Sequence, residues 1–316
     1  MSTTEHRPRL YDSRECPVVD GHRLIQHLHA RTADVGGIPV NRVMPQRGRR
    51  LIGAWCFLDH AGPATFTAGA SGMRVGPHPH IGLQTFTWML AGEVMHRDSL
   101  GNAQRIRPGE LNLMTAGRGI AHTEESIPES GQLHAAQLWI ALPYATRHTP
   151  PRFDHYPDLP RWTEQGADVT LLIGDFGSHH APILAFSPLV GLDLVSPDAT
   201  QLTLPTRTDF EYGVLVLEGR LTIERDRFDT NEMAYLGSGL DDITLTMEAG
   251  TRILLLGGEP LNEDIFIWWN FVGHSKAEIA EAQKEWEAGS DRFGDVPEFD
   301  GERIMPPPIP WKVTAN

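Results

Sequence analysis

The chain has 316 residues, 40% of them hydrophobic and 22% charged, an ordinary globular composition with room for one large or two medium domains. Its formal net charge of −14 argues against direct nucleic-acid binding, because phosphate contacts need a positive surface. No apolar run approaches ~18 residues, so no membrane span is expected, and two cysteines, Cys16 and Cys56, cannot build a disulfide framework or a cysteine-type zinc site.

The first residues, MSTTEHRPRLYDSRE, are polar and lack the apolar stretch of a secretory signal, so a reduced, cytoplasmic protein is expected. His27-Leu-His29 is an H-x-H pair with no matching glycine-rich strand downstream and does not read as a site. Arg42, Arg47, Arg49 and Arg50 form a small basic group that reads as a solvated face or as salt-bridge donors. From residue 83 on, short apolar or alternating runs recur: LQTFTWML, LNLMTA, AAQLWIAL, DVTLLIG, YGVLVLEGRLTIE and TRILLLGG. With 31 glycines and 24 prolines spread between them, these runs read as strands and turns of an all-β sandwich or barrel. The segment from Pro143 to Asp168 is proline-rich with little apolar period and reads as a connection. The adjacent His179-His180 would diverge on a strand and reads as surface loop. Ser275-Lys-Ala-Glu278 has the form of a capping box and opens a helix over about 275–288, with Ile279, Ala282 and Trp286 on one face. The tail MPPPIPW is neither regular helix nor sheet.

Two β-rich halves flank the connection, and they echo each other. MLAGEVMHRD at 89–98 resembles VLEGRLTIER at 216–225, and PGELNLMTAGRG at 108–119 resembles TNEMAYLGSGLD at 230–241. Two copies of one β-barrel unit is the economical reading.

The chemistry concentrates in the first half. His78 and His80 in PHPHIGLQTF stand one residue apart, so on a strand both imidazoles face one side. His122-Thr-Glu124 repeats the device with a carboxylate as its second group. If these strands are neighbours, His78, His80, His122 and Glu124 converge as four ligands. Three imidazoles and a carboxylate suit Fe2+, and also Mn, Ni, Cu or Zn.

HPHIGLQTFTWMLAG and PGELNLMTAGRGIAH resemble the two cupin motifs, and HRDSLGN (96–102), MTAGRGIAH (114–122), QLWIALP (137–143) and LLLGGEPL (254–261) resemble the pirin family over nearly the whole chain. The resemblance implies two cupin, jelly-roll type barrels in tandem with a short C-terminal helix. Its divisions are a metal-binding barrel over 1–145, a linker over 146–168, and a metal-free barrel with helix and tail over 169–316. It implies a single divalent metal ion, typically iron, on His78, His80, His122 and Glu124. By matching glycines and glutamates between the halves, Pro205, Arg207, Thr244 and Thr246 occupy the corresponding places of the second barrel. Many relatives have Glu where this chain has Gln84, which removes one acid/base group and leaves Glu124 as the catalytic base. His96 reads as a turn or strand-surface residue, Arg118 as fixing its loop, and Trp88, Met89, Met114 and Trp139 as barrel core that could line a pocket where they face in.

The activity implied is that of quercetin 2,3-dioxygenases: the flavonol 3-hydroxyl loses a proton, and O2 opens the heterocycle with loss of carbon monoxide. The expected partner is then a small aromatic, flavonol-like substrate. The alternative is a non-enzymatic metal- or redox-sensing regulator that binds a transcription factor or a metabolic enzyme, and the same four ligands serve both.

Overall fold

The computed structural model describes residues 16–66 and 72–311. Strands dominate, with one α-helix, Lys276–Glu287, among the described residues. The expectation of an all-β chain of two barrels with a short C-terminal helix holds. Two compact units interleave along the sequence. One comprises the described residues up to Arg31 together with Arg42–Phe57 and Leu159–Leu261; the other comprises Thr32–Asn41, Leu58–Asp158 and the described residues from Asn262 on. Read by halves, the helix and tail belong with the second barrel; the structure places them in the unit that holds His78 and His122.

In that unit a four-stranded sheet runs in the order Ala103–Ile106, Val94–Asp98, Ile120–Ser126, Arg74–His80. A seven-stranded sheet runs in the order Arg152–Tyr156, Leu111–Thr115, Leu83–Gly92, Gln132–Ala141, Trp55–Thr65, Ile38–Met44, Arg31–Val35. The two sheets enclose an apolar plug of Ile38, Val40, Ala61, Met73, Met89, Val94, Ile106, Leu133 and Ala135. Burying an Ile, Val, Leu or Met side chain is worth roughly 1.5–3 kcal/mol, which is what holds the sheets face to face.

The proline-rich stretch expected as a plain connection contains two strands, Arg152–Tyr156 and Arg161–Glu164. Both lie at sheet edges, each paired on one side only, with their prolines just outside the strands. Proline lacks a ladder donor and is tolerated there. Proline count therefore hid two short elements.

The other unit has a large sheet in the order Arg161–Glu164, Ala167–Phe176, Leu189–Ser196, Thr251–Gly258, Glu211–Glu218, Glu232–Gly237, Gln26–His29, with His179–His180 paired to Ala167–Phe176. Its four-stranded sheet runs Thr200–Pro205, Asp242–Met247, Arg220–Ile223, Asp226–Asp229. Asp242–Met247 alternates strictly: Ile243, Leu245 and Met247 are buried, while Asp242, Thr244 and Thr246 are exposed. Pro205 and Arg207 are not turned inward either: both are exposed, and Arg207 pairs with Asp209.

The helix starts as its capping signal predicts. The Ser275 side chain accepts from the Glu278 backbone N–H at 3.1 Å, and the Glu278 carboxylate accepts from the His274 N–H at 2.8 Å. Ile279, Ala282 and Trp286 are buried on one face, packed with Ile81, Ala121, Phe271 and Phe293. This packing brings the segment around Asn270 against the strand that carries His80.

Candidate metal centre

Antiparallel pairing of Arg74–His80 with Ile120–Ser126 sets His122 opposite His78 and Ile120 opposite His80. On its other edge Ile120–Ser126 pairs with Val94–Asp98, so His122 faces Asp98 and Glu124 faces His96. Ligand nitrogens of His78, His80 and His122 lie within 4.8 Å of one another, and all three side chains are buried. Among the described residues no other group of three or more His, Cys, Asp or Glu residues is placed to hold a metal ion.

Local hydrogen bonds aim two of the rings. The Nδ1 of His78 lies 2.9 Å from the Gly76 carbonyl, and the Nδ1 of His80 lies 2.9 Å from the Asn270 carbonyl. A carbonyl only accepts, so each Nδ1 carries the proton and each Nε2 keeps a lone pair. Burial, first of all, pushes His78 down from 6.5 to about 4, with a smaller push from the neighbouring His96. Burial and then the charges of their histidine neighbours hold His80 and His122 well below 6.5. The imidazoles are therefore neutral at pH 7, the form that binds metal. The Nε2 atoms of His80 and His122 stand 3.1 Å apart. Buried nitrogen lone pairs gathered at that spacing suit a shared cation, which makes the donor set fit a divalent metal ion.

Glu124 follows His122 by two residues and so shares its face of the strand. It is partly buried and stands outside the tight three-histidine group. Burial of its carboxyl pushes its pKa up from 4.5 to about 7.

Three features of the site depart from the sequence reading. His96 is buried, not on a turn or strand surface: its Nδ1 lies 3.3 Å from the Nδ1 of His122, and its Nε2 lies 3.1 Å from Asp98 Oδ2. The clue was present in His96-Arg-Asp98, which has the same i, i+2 spacing as the ligand pairs. The Asn270 carbonyl, 190 residues from His80, left no sequence signal, because any residue supplies a backbone oxygen.

Gln84 is the third. It pairs across the strands with Thr115 and Ile140, and its amide donates to the Thr115 hydroxyl at 3.0 Å. Thr85 pairs with Trp139 and Met114, and Met114 pairs with Phe153. Trp139 meets His80 edge-on at 5.3 Å, and Phe153 stacks on His96 at 4.3 Å. The row Phe153, Met114, Thr85, Trp139 thus faces the histidines, and Gln84 with Trp88 faces the opposite way. A carboxylate at position 84 would not reach the centre in this chain.

The remaining candidates lie elsewhere. His27 and His29 are on the surface beside Asp226 and Glu232. His179 stacks on Trp162, and His180 pairs with Asp175, on a two-residue exposed strand rather than a loop. The Arg118 side chain is exposed, and its backbone meets Thr149 and Arg292. Arg49 is buried against Tyr235 and Gln26 instead of joining a solvated basic face.

Residues 37–140 match the family model described as Pirin, and residues 191–294 match the Pirin C-terminal cupin domain. A Pseudomonas aeruginosa protein named "Putative quercetin 2,3-dioxygenase" is 59% identical over 100% of both chains. A pirin-like protein of Caulobacter vibrioides is 35% identical over 88% of this chain and 97% of its own. The crystal structure of a quercetin 2,3-dioxygenase from Acinetobacter baumannii superposes with a TM-score of 0.88 at 45% identity, covering 92% of this chain and 97% of that one. Fold and site together define a bicupin with a three-histidine centre in one barrel. The chain belongs to the pirin family. No helix among the described residues is long and apolar enough to cross a membrane.

Proposed function

We propose that this chain is a metal-dependent dioxygenase of the quercetin 2,3-dioxygenase type, with one Fe2+ held by His78, His80, His122 and Glu124. The observation that carries the reading is the convergence of three buried, neutral imidazoles within 4.8 Å. The 59% and 45% identities to proteins named as quercetin 2,3-dioxygenases support it, and they favour an enzyme over a regulator. When bound, the ion supplies Lewis acidity toward a deprotonated flavonol oxygen and a redox centre for O2.

The protein's own residues do the rest. Glu124, the one carboxylate of the ligand set, takes the proton from the flavonol 3-hydroxyl. Trp139, Met114 and Phe153 present apolar and aromatic surface on the histidine side of the seven-stranded sheet, suited to a flat aromatic substrate. The working barrel is the N-terminal one, which holds the three histidines. Cys16 and Cys56 are buried and not joined in a disulfide, which accords with a reducing, cytoplasmic setting.

The test is elemental analysis followed by quercetin turnover with and without O2. Iron-loaded protein is expected to consume quercetin only aerobically and to release carbon monoxide. Unchanged quercetin under air refutes the activity. Full metal content in His78→Ala and His122→Ala refutes the ligand assignment.

A further inference from the structure

The stretch His96-Arg-Asp-Ser-Leu-Gly-Asn102 is one of the most distinctive in the sequence, and metal ligation uses none of it. The structure ties it to the centre through one chain of hydrogen bonds. Asp98 is fully buried. Its Oδ1 accepts from the backbone N–H of Leu100 at 2.9 Å and of Asn102 at 3.1 Å, and from the Asn102 amide at 3.0 Å. Its Oδ2 accepts from the same amide at 2.9 Å and faces His96 Nε2 at 3.1 Å. Burial alone would raise this carboxyl, but the hydrogen bonds from His96 and Asn102 outweigh it and hold it below 3.8, so it is ionised.

Proton positions then follow in order. An ionised carboxylate only accepts, so His96 Nε2 carries a hydrogen. With one proton on the ring, His96 Nδ1 is an acceptor. The atom facing it at 3.3 Å, His122 Nδ1, is therefore a donor. The lone pair of His122 is left on Nε2, the atom 3.1 Å from His80 Nε2. Phe153, stacked on His96 at 4.3 Å and 12°, fixes the plane of the middle ring.

We propose that Asp98 and His96 form a positioning relay that sets the tautomer and aim of His122 as a metal ligand. The inference rests on the metal centre proposed above. It gives HRDSLGN a physical purpose: the Ser-Leu-Gly-Asn turn wraps the Asp98 carboxylate, and the carboxylate orients two histidines in series. Second-sphere partners of this kind are worth about 10–100-fold in metal affinity.

Asp98→Asn is the sharpest probe. Three donors face the Oδ1 position, so the new carbonyl oxygen stays there and the new NH2 takes the place of Oδ2. A donor then meets His96 Nε2–H. His96 must switch its proton to Nδ1, where it confronts the His122 Nδ1–H. His96→Gln keeps an acceptor for His122, whereas His96→Leu does not.

The experiment uses the full chain loaded with Zn2+ as a diamagnetic probe. Competition with a chelator gives affinity, and 15N-histidine spectra give the tautomers. The relay predicts His96 protonated at Nε2 in the unaltered protein. It predicts about 10–100-fold weaker Zn2+ binding in Asp98→Asn and His96→Leu, with His96→Gln between them and the unaltered protein. His96 protonated at Nδ1, or Asp98→Asn and His96→Leu binding within twofold of the unaltered protein while His122→Ala loses Zn2+, overturns it. If His122→Ala also keeps its Zn2+, the metal-centre reading is the one that fails. The tautomer measurement needs no variant, so a substitution that fails to fold leaves the relay testable.

Discussion

Gln84→Glu places a carboxylate where the resemblance to cupins leads one to expect it after H-x-H, and the structure makes a specific forecast for it. Position 84 is fully buried and lies on the sheet face turned away from the histidines. The Thr115 hydroxyl can reverse to donate to the new group, but a buried ionised carboxyl is costly and takes up a proton instead. From an ordinary value near 4.3, staying neutral at pH 7 costs about 1.36 kcal/mol per pH unit, or roughly 4 kcal/mol. The folded-state pKa is raised, so the penalty is absent below about pH 4 and grows as pH rises through the unfolded value. At ~2–4 °C per kcal/mol, the thermal midpoint should fall by about 10 °C at pH 7 and by little at pH 4. Thermal unfolding of both proteins across that range is the assay, paired with Zn2+ or Fe2+ affinity, which should not change. Tighter metal binding or an altered metal spectrum in Gln84→Glu would show that the side chain reaches the centre and would refute the facing argument.

The metal-free protein should lose stability as pH falls from 6.5 to about 4. Its buried histidines stay neutral when folded and take protons when unfolded, and the folded pKa of about 4 for His78 makes its share roughly 3 kcal/mol. Urea titrations at pH 7 and at the acid end of that window check this, and a flat profile contradicts it. Glu124→Gln should leave metal on the three histidines while flavonol turnover falls by about 10²–10⁴-fold; stopped-time quercetin assays on metal-matched samples decide, and equal rates remove Glu124 as the base. Trp286→Ala should cost about 3–5 kcal/mol in denaturant unfolding, because the ring is buried and its Nε1–H bonds the Ile304 carbonyl at 2.9 Å. A loss under 1 kcal/mol would mean the helix does not anchor its unit.

The readings that held were local ones. His78 and His80, and then His122 and Glu124, announce shared faces because side chains alternate along any uninterrupted strand. The helix was legible from Ser275 and Glu278 because capping is settled within one turn. His96 and Asp98 carried the same i, i+2 signal, yet nothing local said whether their face was wet or buried.

What the sequence determined by itself is the strand-and-turn class, the capped helix and which histidines converge. Their chemistry follows from residue type, and their convergence follows from a period of two. The tertiary structure alone decided the facing of Gln84. Gly82, at φ 65° and with the Val272 carbonyl 2.1 Å from where a Cβ would stand, carries the chain from one sheet to the other. Parity counted through that turn no longer tells which face a side chain takes. The same holds for the Asn270 carbonyl that aims His80 and for the Asp98–His96–His122 chain. These contacts join strands distant in sequence, and their register is set by which faces bury together, a property of the packed sheets rather than of any one segment.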